Sequence, residues 1–183
     1  VVRFIKNQTC LYLMDKFKQP LFTHRHALSF WILVLIRGYF NAVLPLMDKT
    51  EARYGEISRL MSETGNWITP QIDYGLPFWA KPPLSTWASA LSISIFGSAE
   101  FFVRLPYLIV LVGLALFIRR YAKGHVQSYY LPGIIALSIP EFYLHAGVVS
   151  TDTFLTFSIA LSMLGFWEAL RDQSKPYWGY LFF

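Results

Sequence analysis

The sequence predicts an all-α polytopic membrane protein, and three observations carry that reading. Of 183 residues, 55% are hydrophobic and 18% aromatic while 15% are charged, against about a quarter charged in a soluble domain. Four apolar segments, about 27–47, 102–118, 129–149 and 153–170, approach the roughly 20 residues that cross a bilayer as helix. The basic residues gather in three blocks beside those segments: Arg3, Lys6, Lys16, Lys18 and Arg25; Arg119, Arg120 and Lys123; Arg171 and Lys175. Threading four spans alternately places all three blocks on one side, which the positive-inside rule makes the cytoplasm. The connections 48–101 and about 150–152 then face out.

The same patterning excludes other classes. A net charge of +5 suits nucleic acid only when the cations form one stripe, and these sit as juxtamembrane anchors instead. Cys10 is the only cysteine, so neither an internal disulfide nor a cysteine-based zinc cluster is available. Residues 1–26 mix cations with short apolar pieces and lack the small-residue cleavage site of a signal peptide; they read as a cytoplasmic N-terminal segment. Residues 27–183 read as the N-terminal part of a transmembrane domain. The Val1-Val2 start and the apolar run 178–183, which reads as the opening of another apolar segment, suggest an incomplete chain whose C-terminal remainder is missing.

The outer loop has its own elements. Between Thr50 and Glu63, Tyr54, Ile57, Leu60 and Met61 recur at helical spacing while Arg53, Glu56, Arg59 and Glu63 occupy the other face. That is an amphipathic surface helix, ended by Gly65-Asn66. Leu84 to Phe96 is too short to span and reads as an interfacial helix started by Pro82-Pro83 and stopped at Gly97.

Most groups fit for chemistry lie in or beside this loop. Asp48 and Glu51 follow the first span, where a carboxylate can act as general base toward an acceptor hydroxyl or phosphate. The competing and compatible reading is helix capping, with Asp48 or Thr50 at the N-cap and Glu51 in the first turn. Asp152, at the head of the fourth span, comes to the same membrane face; it is equally an N-cap candidate. Lys81, between Trp79 and Pro82-Pro83, either grips a phosphate as a point charge or snorkels. Arg104, at the outer end of the second span, pairs with a loop carboxylate or a phosphate. Arg37 lies deeper in the first span and is costly there unless it faces protein or snorkels. Glu141 and His145, four residues apart, share a face of the third span, bonded to each other or paired to Arg37, and as intramembrane ionisable groups they are functional candidates. His24 and His26 belong to the basic block before the first span.

The ordered set Asp48-Lys49-Thr50-Glu51-Ala52-Arg53-Tyr54-Gly55-Glu56-Ile57, Gly65-Asn66-Trp67-Ile68-Thr69-Pro70, Lys81-Pro82-Pro83-Leu84, Phe96-Gly97, Glu100-Phe101, Arg104-Leu105-Pro106 and Thr151-Asp152 resembles the bacterial aminoarabinose lipid A transferases. These belong with the protein O-mannosyltransferase-like glycosyltransferases of the GT-C fold, and the resemblance covers about 45–170. It implies a polytopic membrane enzyme that takes a sugar from a polyprenyl-phosphate donor and gives it to a lipid or protein acceptor on the periplasmic side of the bacterial inner membrane. It implies an acidic motif after the first span, usually two adjacent carboxylates. Here Thr50 precedes Glu51, so the catalytic carboxylate is Asp48, nearest the membrane end, or Glu51. Lys81 matches the lysine that contacts donor phosphate, and Asp152 matches the acidic residue heading the fourth span; in the mechanism read from these residues Arg104 joins Lys81 in binding the donor phosphate. A divalent metal is compatible with the family, but Ala80 stands where a metal-linked Glu is often found. The rival class is a transporter or non-catalytic membrane assembly subunit with Arg37, Glu141 and His145 along a path.

Overall fold

The computed structural model describes residues 24–46, 48–122 and 128–171, with the side chains of 119–122 and 171 left aside. The segment 1–23, most of the three basic blocks and the run 178–183 lie outside the described residues, so the N-terminal expectation rests on sequence. Seven helices occupy most of the described chain: α1 (His24–Val43), α2 (Lys49–Thr64), α3 (Leu84–Phe96), α4 (Glu100–Ala122), α5 (Leu131–Ser138), α6 (Pro140–His145) and α7 (Thr151–Arg171). A small antiparallel hairpin, β1 (Gln71–Asp73) with β2 (Leu76–Pro77), turns over Tyr74-Gly75 between α2 and α3, with Gly75 at φ 78°. Sequence reading did not foresee this hairpin.

Three helices, α1, α4 and α7, are long and apolar enough to cross a membrane. The third apolar segment is not one span but the α5–α6 pair. Pro140 is the reason. It cannot donate to the helix, and it pushes the residue before it out of the helical region; Ile139 accordingly lies at φ −76°, ψ 116°. The pair still runs the length of the bundle. Gly133 of α5 packs against Phe30 of α1 and the Ala115 carbonyl of α4, whereas Leu144 and Ala146 at the other end meet Arg37 and Asn41 of α1.

Core packing follows the same axis in three layers. Phe30, Ala115 and Leu137 fill one end, Leu108, Leu111, Leu114 and Ala146 the middle. Tyr54, Ile57, Ile93, Val103, Tyr107 and Val149 fill the end where α2 and α3 sit. The apolar face expected of α2 is the one it buries, and Gly65 closes the helix at φ 68°. That face packs on α3 and α4, not directly on a membrane surface, while Glu56, Arg59 and Glu63 form an exposed ion ladder.

α3 has its polarity inverted relative to a soluble helix. Ser85, Ser89 and Ser92 are buried toward the bundle, and Leu84, Trp87, Leu91 and Ile95 point away from it. Small hydroxyl residues let helices approach and supply hydrogen bonds where water is absent. Ser89 donates to the Val103 carbonyl (3.0 Å) and Ser92 to that of Phe102 (2.6 Å). The second bond answers a defect: Pro106, inside α4, has no N–H to give the carbonyl four residues earlier, and Ser92 takes its place.

The exposed end of α6 is closed from two other helices. The Leu144 carbonyl accepts from Arg37 (2.6 Å), that of His145 from Thr153 (3.3 Å) and that of Ala146 from Asn41 (3.1 Å). Arg37 thus caps a helix end, which explains how its charge is tolerated in α1. Gly147 makes the approach possible, because a Cβ there would strike the Asn41 carboxamide and the Arg37 guanidinium. Gly147→Ala should destabilise the protein by about 1–3 kcal/mol, the usual cost of overpacking; a lowered midpoint of thermal unfolding in detergent is the check.

Candidate active site

Four segments meet at the end of the bundle where α1 stops and α2, α4 and α7 start. The residue that joins them is Arg104. Its Nε and Nη2 take the two oxygens of Glu51 (2.8 and 2.9 Å); Nη1 donates to the carbonyls of Asn41 (3.0 Å) and Leu44, and Nη2 also to that of Pro45 (3.1 Å). A guanidinium has five N–H donors, and all are engaged. The carbonyls are those a helix C-terminus leaves unpaired, here at the end of α1. Glu51 Oε1 additionally accepts from the Val149 amide at 3.3 Å, which fixes the approach to α7. Both side chains are buried.

This arrangement alters the expected roles. All the N–H groups of Arg104 are engaged within the protein; of its two expected partners, the loop carboxylate of Glu51 is the one it meets here. Glu51 accepts from three N–H groups and lines neither of the two cavities described below. Asp48 is the N-cap of α2, its Oδ2 accepting from the amides of Thr50 (2.8 Å) and Glu51 (3.2 Å). Those amide bonds, Thr50 foremost, hold its carboxyl below the ordinary value of 3.8.

Lys81 and Asp152 are brought together. They line one cavity of about 280 Å³ between the start of α3 and the start of α7, with Pro82, Leu84, Ser85, Phe154 and Leu155 among its walls. Asp152 is available because it is not the cap of α7. Ser150 is: its hydroxyl oxygen accepts the Asp152 amide (3.1 Å) and its proton goes to Asp152 Oδ2 (2.8 Å). The carboxylate is held by its neighbour and directed outward from the first turn. The cavity is thus lined by both a cation and a carboxylate, and its surface is otherwise mainly apolar.

Asp152 also borders a second cavity of about 390 Å³, with Glu141, His145, Thr153 and Thr156. Glu141 and His145 bond to each other at 2.9 Å, not to Arg37. Among the described residues no group of three or more His, Cys, Asp and Glu is arranged to hold a metal. The methyl of Ala80 supplies no donor atom, so the residues present do not fit the metal site compatible with the resemblance.

Sequence reasoning missed the role of Ser150. The Ser150-Thr151-Asp152 run signals a cap, but spacing alone does not choose among its three members.

Two outcomes follow. Arg104→Met strands a buried carboxylate and should cost about 3–5 kcal/mol, read as loss of folded protein, while the double variant Glu51→Leu/Arg104→Met should recover part of it. Because the Asp48 carboxyl is lowered in the folded state, its stabilisation is complete above the ordinary value and lost as pH falls through the lowered one. Amide exchange at Thr50 and Glu51 should therefore accelerate, relative to neighbouring α2 amides, only on acidification below 3.8.

A family model described as dolichyl-phosphate-mannose-protein mannosyltransferase matches residues 23–183. Curated relatives share its region. An undecaprenyl phosphate-alpha-4-amino-4-deoxy-L-arabinose arabinosyl transferase of Wigglesworthia glossinidia brevipalpis is 32% identical over 156 residues, 81% of this chain and 27% of the relative. The protein of the same name from Aeromonas hydrophila is 30% identical over 165 residues, 85% of this chain and 30% of the relative. The chain spans about a quarter to a third of the length of these relatives. No solved structure matches it. The residues matched include every element of the described bundle, and the chain belongs to the dolichyl-phosphate-mannose-protein mannosyltransferase family of membrane proteins.

Proposed function

We propose that this chain forms the donor-binding part of a membrane glycosyltransferase that moves a sugar from a polyprenyl phosphate to a lipid or protein acceptor at the periplasmic face. The observation that carries the reading is the shared cavity of Lys81 and Asp152, two groups far apart in sequence. A glycosyl phosphate needs both: a cation where negative charge grows on the departing phosphate, and a carboxylate toward the acceptor. The relatives' printed name, with its undecaprenyl-phosphate aminopentose, supports a donor of that class.

In this mechanism the acceptor oxygen attacks the anomeric carbon in line, opposite the phosphate, and the configuration inverts. The C–O bond to phosphate breaks with its electron pair on the phosphate oxygen, where the Lys81 ammonium stabilises it. Asp152, oriented by Ser150, takes the acceptor proton. Glu51 holds the Val149 amide just ahead of the helix that carries Asp152. Phe154 and Leu155 on α7 continue the cavity as an apolar wall suited to a polyprenyl chain. The transporter alternative needs Arg37 on a path with Glu141 and His145, and Arg37 is instead turned onto the Leu144 carbonyl.

Lys81→Ala and Asp152→Asn should each lower sugar transfer by about 10²–10³-fold in membranes expressing the intact gene, with protein level unchanged. Asp48→Asn, which keeps the cap, should retain activity within a few-fold. Equal loss with Asp48→Asn and none with Asp152→Asn would move the base to the head of α2.

A further inference from the structure

Tyr107 of α4 is fully buried and lines neither of the two cavities, yet it touches residues from both helices that border the one holding Lys81 and Asp152. Toward α3 its hydroxyl donates to the Ser85 carbonyl at 3.3 Å. The Ser85 hydroxyl pairs with the same phenol oxygen, and Ser89 Oγ lies 3.2 Å from it. Toward α7 the ring meets that of Phe154 edge to face, with centroids 5.4 Å apart and planes at 82°. Ser85 and Phe154 both line the cavity, four residues after Lys81 and two after Asp152. A phenol suits such a place, because a rigid ring packs on one neighbour while its polar tip bonds another. Val149, just ahead of α7, belongs to the same buried cluster.

Resting on the transferase reading, we propose that Tyr107 is a positioning residue: one buried phenol ties the first turn of α3 to the first turn of α7 and so sets the separation of Lys81 from Asp152. It touches no reactant. Lys81 and Asp152 act on different ends of the transfer, the departing phosphate and the acceptor proton. Their separation therefore counts in the transition state more than in donor binding. Loosening the tie lowers kcat and leaves KM nearly alone, the pattern of an interaction realised in the transition state. Ser92 gives the comparison. It joins the same two helices through the Phe102 carbonyl, seven residues further along α3, and lines neither cavity.

The test pairs sugar transfer in membranes with a distance measurement on the intact purified protein in lipid nanodiscs. Spin labels go on Leu91→Cys of α3 and Met163→Cys of α7 in a cysteine-free background; both positions are exposed and outside the cavities. Tyr107→Phe keeps the ring on Phe154 and removes the hydroxyl from Ser85. It should lower kcat about tenfold, since a full ångström of misplacement costs about 10²-fold. KM for the donor should stay within about threefold, and the label distance should broaden. Ser92→Ala should lower the thermal midpoint at least as much, with kcat within about threefold and the distance unchanged. Phe154→Leu removes the ring contact from the α7 side and should broaden the same distance, a second reading should Tyr107→Phe fold poorly. Unchanged kcat and distance in folded Tyr107→Phe overturn the proposal. Equal loss of kcat in Ser92→Ala also overturns it, leaving Tyr107 a core residue that only stabilises. Broadening confined to Tyr107→Phe and Phe154→Leu, in a protein that transfers no sugar, keeps the tie and removes the transferase reading.

Discussion

Everything at the working end of this bundle depends on how its helix ends are satisfied where water is scarce. A helix terminus leaves backbone groups unpaired, and in a bilayer those groups must find partners within the protein. Arg104 supplies three carbonyls of the α1 terminus at once and remains neutralised by Glu51, which in turn holds the amide ahead of α7. One buried ion pair therefore sets the relative positions of α1, α2, α4 and α7. Such pairs add little net stability but are severe to break, and here the specification is the useful property.

The same economy appears elsewhere. Arg37, Asn41 and Thr153 close the carbonyl end of α6. Ser92 repairs the gap that Pro106 leaves in α4. Polar side chains that look catalytic by type are mostly occupied with backbone. The cavities are lined by polar groups of another kind: Lys81 and Asp152 around one, Glu141 and His145 around its neighbour. Function is read from the groups that the fold does not use for itself.

Much of the fold was legible in the sequence, because period and punctuation are local. The spacing of Tyr54, Ile57, Leu60 and Met61 gave the buried face of α2; Pro82-Pro83 and Gly97 bounded α3. The α5–α6 break was signalled by Pro140, yet a run of apolar residues reads as one span whether or not the helix continues through it. Roles at the site were less legible. An arginine at a span end can meet phosphate or carboxylate, and only the tertiary approach of α2 to α4 decides for Glu51. Lys81 and Asp152 were singled out separately, but their shared cavity follows from α3 and α7 packing side by side.

The central claim is that a lipid-linked sugar phosphate occupies the cavity between Lys81 and Asp152. A structure of the intact protein in lipid nanodiscs with a polyprenyl-phosphate sugar tests it most directly. The account predicts phosphate density at the head of α3, beside Lys81, with the sugar toward Asp152 and the chain descending along Phe154 and Leu155. Donor density seated elsewhere, with Lys81 and Asp152 unliganded, would contradict it.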